Sequence, residues 1–102
     1  MDVYKKGRVN ALMGTLALDT RVISYIILVS DMLGDQIGLP VSTDRVLEEI
    51  ALHMDGCGMT GVDQLMDGNV GGIGVFGGQE EFCKYIADRY KLYLQKNEFF
   101  GD

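Results

Sequence analysis

The sequence predicts an all-α domain: a compact bundle of four or five helices that carries one ordered glycine-rich loop over residues 68–78. Three observations predict it. Apolar residues recur at spacings of three and four, the period of a helix with one buried face. Residues that start and stop helices fall where those stripes begin and end. Nine of the fourteen glycines crowd between Gly56 and Gly78, so the helices give way to irregular chain in one place only. With 102 residues, 47% of them hydrophobic and 24% charged, the chain fits a single domain spanning 1–102 with an ordinary globular balance.

The first stripe is Val9, Leu12, Met13 and Leu16, on one helical face. Asp19 reads as the N-cap of a second helix from Thr20, with a bend between the two. That second helix, to about Ile37, carries Ile23 and Ile27 on one side and Val22, Tyr25, Ile26, Val29 and Leu33 on another. A helix that is apolar almost all round is buried on several sides. The expectation is therefore a central helix that also forms a homodimer seam through Val22, Tyr25, Ile26, Val29 and Leu33.

Gly38 and Pro40 stop this helix. Ser42 or Thr43 caps the next, whose Val46, Leu47, Ile50, Ala51 and Met54 face the core until Asp55-Gly56. A short helical turn follows from Thr60, with Val62, Leu65 and Met66 as its apolar positions. The last helix runs from Gln79 to about Asn97. Its Glu80 and Glu81 lie at the positive end of the helix dipole and Lys91 and Lys96 toward the negative end. Phe82, Ile86, Tyr90, Tyr93 and Leu94 make its buried stripe, and Phe99 and Phe100 either pack back or stay available.

The loop between is no flexible linker, because Val70, Ile73, Val75 and Phe76 are interleaved with its glycines. Glycine there permits unusual backbone angles or close approach of two chains. A short strand or hairpin at Ile73 to Phe76 is the expected local structure. Gly72, Gly74 and Gly77 do match the spacing of a dinucleotide-binding turn. No strand of sufficient length precedes them, too little chain follows, and Glu80 and Glu81 would repel a phosphate. The match follows from glycine density.

Charge narrows the function. The net charge is −6, and from Val46 through Cys83 there is no Lys or Arg. That stretch holds Glu48, Glu49, Asp55, Asp63, Asp67, Glu80 and Glu81. Phosphate backbones are gripped by clustered cations, so direct nucleic-acid binding is not expected. A solvated acidic face, or one that docks a basic protein, is.

Chemistry finds little support. His53 falls one position past Leu52, outside the main apolar stripe, and reads as a surface histidine. Together with Cys57 and Asp55, Asp63 or Asp67 it lacks the ligand spacing of a zinc or calcium site. Glu48 and Glu49 diverge by about 100° on a helix and make a poor acid–base pair. Cys57 and Cys83 form no CxxC pair, and their sparseness fits a reduced, cytoplasmic protein. The run Val9 to Leu18 fits an amphipathic helix better than a signal peptide, and Val22 to Val29 is too short to span a bilayer. No membrane partner and no cofactor are expected.

The expected function is that of a small, acidic, non-enzymatic module that binds another protein as an inhibitor, adaptor or regulatory subunit. Its expected contact residues are Glu48, Glu49, Asp63, Asp67, Ile73, Val75 and Phe76, meeting a partner with a basic surface. Two alternatives stand beside it. One is an acidic mimic of nucleic acid, of viral or mobile-element origin, that occupies a nucleic-acid-binding protein. The other is a small enzyme or metal-dependent domain built on Cys57, His53 and nearby acids.

Overall fold

The structure, a computed structural model, describes residues 1–100, with side chains described through residue 96. Its elements in chain order are α1 (Val3–Leu16), α2 (Thr20–Ile37), α3 (Thr43–Gly56), α4 (Val62–Met66), a 3₁₀ turn (Ile73–Phe76) and α5 (Gln79–Phe100). The all-α bundle expected from the stripes is the fold observed. The last helix continues three residues beyond the expected end at Asn97, and Phe99 and Phe100 have side chains outside the described residues.

The caps set the layout. Asp19 accepts from the Arg21 backbone N–H at 2.9 Å and marks a bend of 100° between α1 and α2. That bend sends the two helices against different neighbours: α1 packs on α3, and α2 packs on α5. Gly38 ends α2 with φ of 63°, the left-handed conformation that glycine adopts without a Cβ penalty. Ser42 then accepts from Arg45 N–H at 3.2 Å to start α3, while its own N–H donates to the Tyr90 hydroxyl of α5 at 2.9 Å. No single helix among the described residues is long and apolar enough to cross a membrane.

The core is continuous. Leu16, Val22, Val29, Leu33, Val46, Ile50, Met54, Leu65, Phe82 and Ile86 are sealed from solvent, and Tyr25 meets Phe82 edge-on at 6.0 Å between centroids. The α2 residues expected to form a dimer seam belong here. Val22, Tyr25, Val29 and Leu33 are buried within the one chain and Ile26 is half-buried, because this stripe lies against α5. What α2 turns outward instead is Ile23 and Ile27.

A second correction concerns the loop. Among the described residues there is no strand, and Ile73 to Phe76 close as one 3₁₀ turn rather than a hairpin. In such a turn side chains three apart eclipse. Ile73 and Phe76 therefore point to the same side, toward the core, and Val75 does not. Gly77 at φ 95° and Gly78 at φ 126° then lead straight into α5, which leaves no second strand to pair.

Candidate functional site

The glycine loop is clamped onto α3 by one side chain. His53 lies at 6% exposure, and its Nε2 is 2.7 Å from the Gly71 carbonyl oxygen. Its ring packs against Phe76 at 5.5 Å, Phe82 at 5.7 Å and Tyr85 at 5.1 Å between centroids. Burial holds its pKa below the ordinary imidazole value, more than the Gly71 carbonyl raises it, so the ring is neutral and donates to that carbonyl. The expectation of a surface histidine is overturned. His53 follows Val46 by seven residues, two helical turns, so the two lie within about 20° on the helix. That seven-residue spacing was the available signal, and counting from Leu52 missed it.

Two glycines let the loop fold on itself. A Cβ at Gly72 would sit 2.0 Å from the Asp67 carbonyl oxygen, and one at Gly74 would sit 2.7 Å from the Gly68 Cα. Residues 67–68 and 72–74 are thus in direct backbone contact, which no side chain could enter. Asp67 Oδ1 accepts from Gly68 N–H at 2.6 Å and from the Asn69 amide, bracing the outer limb. Ile73 is buried, Phe76 is half-buried on the aromatic cluster, and Val75 is exposed. Of the three apolar residues expected to meet a partner, Ile73 is a core plug and Phe76 a loop anchor. Val75 alone points out.

A further outward residue of the loop is one the sequence names as apolar but not as a contact. Val70 has φ of 44° and is 74% exposed. A β-branched side chain in the left-handed region is a genuine outlier, because its Cβ crowds the following carbonyl. No sequence rule marks it, since the residue type argues against the conformation.

The acidic stretch is rearranged by folding. Glu49 is buried between two guanidiniums, with Arg45 Nη2 donating to Oε1 and Arg89 Nε donating to Oε2 at 2.9 Å. Arg45 also holds Glu48 at 2.6 Å. Arg8 reaches Asp55 at 2.7 Å and keeps its carboxyl below the usual range by hydrogen bonding. Arg21 meets Asp63 at 3.4 Å, and Lys84 meets Glu80 and Glu81. Every carboxylate of the stretch except Asp67 therefore has a cationic partner among the described residues, in each case from outside it. Glu49 is no surface contact. Glu48 shares Arg45 with Glu49, while Asp63 stays exposed at the edge of Arg21, which also holds Asp19.

Cys57 and His53 both lie against Gly71. The His53 Nε2 is engaged by Gly71, and Cys57 makes no hydrogen bond to the ring among the described residues. No group of three metal-ligating side chains converges among the described residues. Comparison with protein-family models, curated proteins and solved structures finds no match for this chain.

Proposed function

We propose that the chain is a non-enzymatic protein-binding module whose contact element is the 67–78 loop, presenting Val70, Val75 and Asp67. The observation that carries this reading is Val70. A strained backbone costs about 1–3 kcal/mol and persists where the surroundings enforce it, most often at functional sites. Here the strain holds an apolar side chain in solvent, as is Val75 of the same loop at 57% exposure, so it yields nothing to the core. The support underneath is rigid: backbone contact at Gly72 and Gly74, the His53 clamp and the Phe76 anchor. A preformed apolar knob loses little freedom on docking, which favours affinity. Asp67, the acid of the stretch without an ion pair among the described residues, adds one charge. The partner it fits has an apolar recess with a cation at its edge.

The test compares affinity captures from the native host made with the wild type, Val70→Gly, Val75→Asp and Ile27→Asp. Proteins retained by the wild type and by Ile27→Asp should be lost with Val75→Asp. Val70→Gly should bind less while unfolding at higher denaturant, because glycine relieves the strain. Retention by both loop variants sinks the proposal, and so does equal loss with Ile27→Asp.

A further inference from the structure

A second surface differs in chemistry and owes nothing to the loop. An open cleft of about 580 Å³ lies between α3 and α5, a size typical of small-molecule sites. Arg45, Arg89 and Lys96 face it together with Glu48 and Glu49. Three cationic side chains thus meet two carboxylates, so the lining side chains carry one net positive charge in a chain whose total is −6. The remaining wall is Met1, Leu52, Leu92 and the rings of Tyr85 and Tyr93.

The donors are held in advance. Arg89 is fixed by Glu49 through Nε at 2.9 Å and by the Tyr85 hydroxyl, which accepts from Nη1 at 2.9 Å. Its Nη2 has no partner among the described residues, and neither has Lys96 Nζ. Arg45 is pinned by Glu48 and Glu49, and its guanidinium stacks on the Tyr93 ring at 3.5 Å from the centroid. A braced guanidinium loses little side-chain freedom when it meets an oxyanion. The two glutamates limit what may enter, since a second negative charge would stand against them.

We infer that this cleft binds the carboxylate of a small organic acid. The carboxylate lies at Arg89 Nη2 and Lys96, and the acid's apolar body lies along Leu52 and Leu92. Glu48 and Glu49 disfavour the dianion of inorganic phosphate, and the leucine wall favours an acid with a larger apolar body than acetate.

The test is a titration of isotope-labelled protein, followed through the Arg45 and Arg89 Nε–H signals and the α5 amides. The probes are benzoate, 1-naphthoate and hexanoate, with benzamide, acetate and phosphate as controls. At least one organic carboxylate should give saturable shifts at Arg89 and residues 85–96, with benzamide and acetate weaker by about tenfold. Arg89→Lys disturbs buried Glu49 and can unfold the chain, so the deciding variant is exposed Lys96→Met. It should weaken binding about threefold while leaving the melting temperature unchanged. The inference is overturned if none of the three carboxylates saturates, if benzamide matches benzoate, or if Lys96→Met binds as the wild type does.

Discussion

The α3–α5 cleft and the 67–78 loop are held in shape by opposite means. The cleft is fixed by side-chain charge, with Glu49 sealed between Arg45 and Arg89. The loop is fixed by the absence of side chains, where Gly72 and Gly74 let two backbone limbs touch. One region depends on atoms that are present and the other on space that must stay empty. The difference teaches where each region will fail: the cleft when a charge loses its partner, the loop when a single methyl group arrives.

The largest effect should come from the cleft. Glu49→Ala leaves two guanidiniums facing each other in a partly buried site, and stability should fall by about 3 kcal/mol in urea unfolding. Replacing Arg45, Glu49 and Arg89 together by Met removes charge and partner alike, and should lose far less. Equal losses from the single and triple variants would show that packing, not charge, holds the cleft.

Next comes the loop. Gly72 has φ of −69°, which any residue adopts, so Gly72→Ala tests space alone. It should cost about 2 kcal/mol by forcing the Asp67 carbonyl away, and amide exchange should rise over residues 67–74. A smaller effect of opposite sign follows at Val70→Gly, which should gain about 1 kcal/mol in the same unfolding assay. A loss there would mean that the side chain is packed and not strained.

The smallest effect is the pH dependence of the His53 clamp. Burial lowers the folded-state pKa, with Arg89 nearby acting in the same direction, so the unfolded chain takes up the proton first. Stability from this group is full above the ordinary imidazole range and falls as pH drops through it toward the folded value. As this is the sole histidine, the melting temperature should slope downward from pH 7 to pH 5. The His53→Gln variant should melt lower at pH 7 but with a flatter slope.

How legible all this was depended on the range of the interaction. Asp19, Gly38 and Ser42 were readable as caps because a cap is decided within a few residues. The helical stripes were readable for the same reason, and so was the order of the loop. The charge pattern was not. A stretch without a cation looks electronegative in one dimension, but Arg8, Arg21 and Arg89 are brought to it by packing that no local rule encodes. The α2 stripe shows the converse limit: periodicity marks a face as buried but does not say whether its own chain or a second copy covers it. Val70 lay beyond any sequence rule, since only the backbone angle reveals it.

The two thiols give the fold a built-in clock. Cys83 is sealed with its Sγ 3.9 Å from the Tyr25 carbonyl oxygen, and burial pushes its pKa up to about 11. Cys57 is half-exposed, directly beneath Gly71. A thiol reagent should therefore label in two phases. The fast one, at Cys57, reports a thiol already half-exposed at the edge of the loop. The slow one, at Cys83, waits for α2 and α5 to separate, so a single labelling trace ranks standing exposure against opening of the whole domain.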